Sequence, residues 1–147
     1  MSGQTPDRAT GKIKDVAQER GSQTYPPEFQ PTVAGRLKAR LGDAVGINQF
    51  GINHTILEPG ASSALRHWHT GEDEFVLVLE GRVVLIDDAG EVELWAGEFA
   101  GFPAGIENGH RLENRSDDPA VILEVGSRRP GADTAHYPDD PYGPVDR

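Results

Sequence analysis

Two stretches decide the reading of this chain: Pro59–Gly81, PGASSALRHWHTGEDEFVLVLEG, and Gly97–Asn114, GEFAGFPAGIENGHRLEN. They contain His67, His69, Glu74 and His110, and the spacing of these four residues carries chemistry. In a strand, residues i and i+2 point the same way, so His67 and His69 present two imidazoles side by side. Glu74 opens the next apolar run after a short turn, and a hairpin would lay it beside the pair. His110 opens a much later run and would reach the site from across the molecule. Three neutral imidazoles and a carboxylate suit Fe, Mn, Ni, Cu or Zn, with positions left open for water or substrate.

Working outward, short apolar runs recur every 8–12 residues with turn residues between them. They are Ile47–Glu58, Ala64–His69, Glu74–Glu80, Arg82–Asp87, Glu91–Leu94, Glu98–Phe102, His110–Asn114 and Ala120–Val125. No 3.6-residue periodicity persists among them. The two-residue links Glu80-Gly81 and Ala96-Gly97 predict antiparallel hairpins. Eight short antiparallel strands make an all-β sandwich or a jelly-roll barrel.

The flanks differ in composition. Residues 1–24 read as a polar, mobile N-terminal arm with a candidate pairing segment at Ile13–Val16. Residues 25–126 read as the barrel, with its motif-bearing core at 47–126. Residues 127–147, rich in Pro and Asp, read as an extended C-terminal arm that forms neither a helix nor a central strand. Arg36, Lys38 and Arg40 form a basic patch, read as a solvated strand or turn. His136 in the C-terminal arm reads as a surface histidine.

The chain has 147 residues, no cysteine and a net charge of −10. The absence of cysteine excludes a disulfide scaffold, a thiolate metal site and a cysteine nucleophile. The charge is local: residues 47–126 hold four basic residues against fifteen acidic ones. That balance argues against nucleic acid and against an anionic membrane surface. The longest apolar run, Phe75 to Leu79, is far short of a bilayer span, and the polar N-terminus does not read as a signal peptide. A cytoplasmic protein is the expectation.

Strand parity extends the site. If His67 and His69 face inward, so does Leu65, while Arg66 and Trp68 face out. Glu74 then shares its face with Val76 and Val78, and His110 shares its face with Leu112. Val76, Val78, Leu112 and Phe102 are the expected pocket lining, making a mostly apolar pocket around a polar centre. His54 is a candidate lining residue too, the alternative being a buried, hydrogen-bonded core histidine. Trp95 and Phe99 are assigned to packing or the pocket wall. Trp68, Phe75, Leu77 and Leu79 are too apolar to face water and should meet other protein.

The two quoted stretches resemble the two motifs of the cupin superfamily. Gly60, His67, His69, Glu74 and Gly81 occupy the positions of the first motif; Gly97, Pro103, Gly105, His110 and Asn114 occupy those of the second. The spacing departs twice, with six residues between Gly60 and His67 and four between Gly105 and His110. Strict spacing would put Asn108 at the ligand position. His110 is preferred because asparagine is a poor ligand and the His-x-x-x-Asn spacing to Asn114 is kept. The resemblance implies a double-stranded β-helix, one divalent transition metal per chain (Fe, Mn, Ni or Zn) and a homodimer. It is nearest to small single-domain bacterial cupins labelled by similarity to mannose-6-phosphate isomerase. It leaves the catalytic residues unassigned and two functions open. One is an enzyme of dioxygenase, isomerase or lyase type acting on a small polar organic molecule. The other is a non-catalytic module that binds or senses such a molecule. The acidic core counts against a sugar phosphate.

Overall fold

The computed structural model describes residues 9–147. In chain order its strands are β1 (Gln18–Arg20), β2 (Arg36–Arg40), β3 (Phe50–Leu57), β4 (Trp68–His69), β5 (Glu74–Glu80), β6 (Arg82–Asp87), β7 (Gly90–Trp95), β8 (Phe99–Phe102), β9 (Arg111–Glu113), β10 (Ala120–Ser127), β11 (Thr134–His136) and β12 (Val145–Asp146). Helical turns at Pro27–Phe29, Gln30–Val33 and Leu41–Ala44 flank β2. All strand pairings are antiparallel.

One layer is a six-stranded sheet in the order β1-β2-β3-β10-β5-β8. The facing layer consists of β12-β11-β4 and β7-β6-β9, joined by the bridges His67↔His110 and Ser62↔Glu113. The core lies between the layers. Leu57, Ile122 and Val78 come from the first, and Val83, Leu85 and Leu112 from the second, none more than 6% exposed. Each fully buried aliphatic side chain stabilises the sandwich by about 1.5–3 kcal/mol. The fold is an all-β jelly roll, as the strand pattern predicted.

The connections differ from the expectation. Neither Glu80-Gly81 nor Ala96-Gly97 closes a hairpin. Each is a corner at which the chain changes layers, because β5 pairs with β10 and β8 while β6 pairs with β7 and β9. Gly81 turns its corner at φ 75°, and a Cβ there would meet Pro119 O at 3.1 Å. A side chain would be strained and crowded at that position.

The flanks also differ. Ile13–Asp15 form a 3-10 turn rather than a pairing segment; the segment that pairs is β1, on β2. Residues 1–8 of the expected N-terminal arm lie outside the described residues. β2 is an interior strand, so the basic patch is not simply solvated. Arg36 is buried, and its guanidinium donates to Ser63 O at 2.6 Å and Gly21 O at 2.8 Å. Burial pushes the Lys38 ammonium below its ordinary value, against the opposing charge of Glu124.

At the other end β11 is the central strand of β12-β11-β4, contrary to the expectation for the C-terminal arm. Its three residues, Thr134, Ala135 and His136, contain no proline, and Pro130, Pro138, Pro141 and Pro144 all fall outside it. His136 is partly buried rather than on the surface. Its ring stacks on Trp68 with centroids 4.3 Å apart.

Candidate metal centre

The two layers bring His67, His69, Glu74 and His110 together, but not in the arrangement the hairpin reading implied. His110 is the lateral neighbour of His67. Glu74, on β5, faces the imidazoles from the opposite layer. The cause is the same corner topology: β4 pairs with β11, so the turn between His69 and Glu74 crosses the barrel.

Glu74 Oε1 lies 2.9 Å from His110 Nε2, and 3.4 Å from both His67 Nε2 and His69 Nε2. Every ring is held from behind through Nδ1. His67 Nδ1 donates to Leu65 O at 2.7 Å, His69 Nδ1 to Asp133 Oδ2 at 2.8 Å and His110 Nδ1 to Asn108 O at 2.9 Å. A backbone carbonyl or an ionised carboxylate can only accept, so each Nδ1 carries the hydrogen and each neutral ring turns an Nε2 lone pair toward Glu74. Three lone pairs facing a carboxylate oxygen require a cation among them, either a proton or a metal ion. The donor set therefore fits a divalent transition metal.

The ionisation follows. Burial acts to raise the Glu74 carboxyl, but hydrogen bonds and charge from His110 and His67 outweigh it and hold the group well below the usual carboxylate range. Burial acts to lower the His67 imidazole, and the hydrogen bond and charge of Glu74 outweigh it, leaving the value raised.

A cavity of about 20 Å³ adjoins these groups, lined by Trp68, Phe102, Pro103, Ile106 and Asn108 beside the candidate ligands. That is room for an ion or a single water. Phe102 is stacked on His110, with centroids 3.6 Å apart, and fixes its ring. Asn108, the position strict spacing favoured, turns its amide away: Oδ1 accepts from Asp88 N and Nδ2 donates to Asp87 Oδ2. Asn114 is fully buried, its Nδ2 donating to Leu57 O and Asp118 O, both at 2.8 Å.

Residues 53–126 match the family described as Cupin domain. The chain belongs to the cupin superfamily. This cupin is 48% identical to a solved structure of a sugar phosphate isomerase of the superfamily from Silicibacter pomeroyi. The match covers 88% of this chain and 81% of that one, with a TM-score of 0.84. It is 29% identical over 99 residues to the tetracenomycin polyketide synthase protein TcmJ of Streptomyces glaucescens, which takes in 67% of this chain. The cupin spans 64% of that relative's length. The polyketide cyclase RemF of Streptomyces resistomycificus shares the fold at a TM-score of 0.62 and 23% identity, covering 82% of this chain and 80% of that one.

The other expected lining residues divide. Val76, Val78 and Leu112 sit in the closed core, 1–4% exposed, rather than on the cavity. His54 is on the outer side of β3. Thr55 and Leu57 alternate with it onto the core side, and its register partners are Ala39 and Leu123. Its Nδ1 is buried without a hydrogen-bond partner among the described residues, so neither expectation for it holds. Trp95 and Phe99, 50% and 66% exposed, lie outside this cavity's lining and pack instead against Arg82 and Phe75. The inner wall is less apolar than parity on β5 alone suggested. Glu124, opposite Val76, accepts from Thr55 Oγ1 at 2.5 Å, and Lys38 lies opposite Thr55.

Sequence reasoning missed Asp133 and Glu72. With His69 they form a second group of candidate ligand atoms. These carboxylates are already engaged, however. Asp133 Oδ1 accepts from Gly71 N and Oδ2 from His69, while Glu72 Oε2 accepts from Arg129 N. The group is a hydrogen-bond network behind His69. No spacing signal marks it, because Asp133 and His69 are 64 residues apart.

Proposed function

We propose that this cupin holds one divalent transition metal through His67, His69, Glu74 and His110, and uses it to bind and act on a small polar organic molecule. The observation that carries the reading is the convergence of three Nε2 atoms on Glu74 Oε1, each ring with its Nδ1 hydrogen already committed. A bound divalent ion supplies Lewis-acid polarisation of ligand oxygens. The protein supplies fixed imidazoles, an ionised carboxylate and, in Phe102 and Ile106, an apolar wall that limits water.

The isomerase description of the Silicibacter relative makes isomerisation the first activity to test. The substrate we favour is polar without being strongly anionic. Arg66 is bound to Asp139 and Asp88; Arg111 is engaged by Glu113 and Ser62; Lys38 lies within the field of Glu124. A second reading, binding without turnover, is favoured by the cavity wall. Apart from the candidate ligands, it carries no acid or base.

Elemental analysis of untagged protein tests the metal. We expect about one transition metal per chain, lost in the His67→Ala/His69→Ala double variant; unchanged content in that variant would falsify the site. Product formation or oxygen uptake with diols, keto acids and sugars separates turnover from binding. We also propose that Phe75, Leu79 and Phe99 on the outer side of the six-stranded sheet meet a second copy of the chain, since they are 38%, 40% and 66% exposed.

A further inference from the structure

The C-terminal segment touches the back of all three histidine positions. Asp133, whose side chain is 0% exposed, binds His69 Nδ1. The Tyr137 ring lies against His67, with centroids 5.9 Å apart. Asp139 grips the Arg66 guanidinium through two hydrogen bonds of 2.7 and 2.8 Å, and Arg66 Nη1 donates to Gly109 O, one residue before His110. Backbone bonds fasten the segment in place: Thr70 N donates to Thr134 O at 3.0 Å, and Thr134 N to Thr70 Oγ1 at 2.9 Å.

The contact is close enough to require glycine. A Cβ on Gly71 would lie 1.9 Å from Ala132 O, and one on Gly109 would lie 2.9 Å from Pro138 Cγ. Gly109 precedes His110 and Gly71 lies two residues after His69; a Cβ on Gly109 would also meet Arg66 Nη1 at 2.9 Å, so that glycine leaves room for both the segment and the arginine it grips. The segment that makes these contacts lies beyond the family match, which ends at residue 126.

We propose that residues 133–139 form a brace of the metal centre, with Asp133 as a positioning residue for His69, so that docking of the segment and binding of the metal are thermodynamically coupled. The proposal rests on the metal reading above. Asp133 fixes the tautomer and aim of the ring, and the Asp139–Arg66 pair fixes the backbone that carries His110. Such outer partners are worth about 10–100-fold in metal affinity. Linkage makes the effect reciprocal, so the bound metal holds the segment down by the same factor.

The test uses the full chain and Zn²⁺ alone. Calorimetry should show Zn²⁺ affinity falling about 10–100-fold in Asp133→Ala and in Gly71→Ala. Asp133→Asn, which keeps an acceptor for Nδ1, should recover most of the loss. In the wild type, Zn²⁺ should slow hydrogen exchange at the amides of Thr70 and Thr134 by a comparable factor. Nitrogen-15 NMR of the metal-free protein should show His69 as the Nδ1–H tautomer, mixed with the other in Asp133→Ala. A merely structural segment would lower thermal stability in the variants with affinity and tautomer unmoved, and that result overturns the brace. Unchanged exchange on Zn²⁺ binding overturns the coupling. If the wild type binds no Zn²⁺ at His67 and His69, the metal reading fails by itself, and the tautomer still decides whether Asp133 positions the ring.

Discussion

The two walls of the candidate centre are built differently. The imidazole wall is fixed twice over: His69 and His110 side chains are 5% exposed and His67 12%, and each ring is anchored through Nδ1. The carboxylate wall is Glu74 alone, 29% exposed. The outer sides differ in the same sense. Behind the imidazoles, β11 pairs with β4 and Asp133 holds His69; behind Glu74, the six-stranded sheet leaves Phe75, Leu79 and Phe99 to solvent. One wall is pre-organised and one can adjust. A metal bound between them would join the two layers.

Breaking the rigid wall should therefore cost more than breaking the adjustable one. His110→Ala removes a ligand and the ring that Phe102 stacks on, and we expect Zn²⁺ affinity to fall more than about 100-fold, beyond the outer-partner range. Glu74→Gln keeps an oxygen at the site and should lose less. Calorimetry on both variants decides, and equal losses would remove the distinction between the walls.

The second prediction takes the metal as the joint between layers. Free Zn²⁺ at 100 times its dissociation constant should raise folding stability by about 2.7 kcal/mol, read from urea unfolding. The gain should shrink in Glu74→Ala, where only one layer holds the ion.

The alternation of buried and exposed residues was legible along β5. Glu74, Val76 and Val78 share the inner face, and Phe75 and Leu79 the outer, because a period of two fixes which face a side chain takes. The same period does not say which strand lies alongside. A two-residue link accepts either a hairpin or a corner, so Glu74 was expected beside the histidines when it faces them. His110 was preferred over Asn108 because asparagine is a poor ligand and the spacing to Asn114 is kept, and the fold brings its Nε2 to Glu74 at 2.9 Å. Asp133 was not readable: its role depends on a register between β4 and β11 that no local pattern encodes. Lys38 was misjudged because charge alone does not reveal that its strand is interior.

The third prediction concerns pH. The raised His67 value means that the metal-free fold gains stability from that proton, fully below the ordinary imidazole value of 6.5, and loses it as pH rises through the folded value. The depressed Glu74 value gives stability present above the ordinary 4.5 and lost as pH falls through the folded value. A metal ion replaces the proton on the imidazole wall. Stabilisation by Zn²⁺ should thus grow as pH rises through the folded His67 value, above the ordinary 6.5, as measured by urea midpoints with chelator and with Zn²⁺. A gain independent of pH would mean that no histidine proton is displaced.

The smallest effect on the single chain should come from the outer side of the carboxylate wall. Phe99 is 66% exposed and its ring meets Phe75 at 5.8 Å, so Phe99→Ser removes little buried area. The folding free energy of the monomer should change by no more than about 0.5 kcal/mol. If a second copy covers this face, the same substitution should lower the mass seen by sedimentation from two chains to one. The contrast between the walls then has a further use, because association would rigidify the layer that carries Glu74, and Zn²⁺ affinity would rise with protein concentration in the wild type but not in Phe99→Ser. An affinity independent of concentration in both proteins would show that the adjustable wall works unaided.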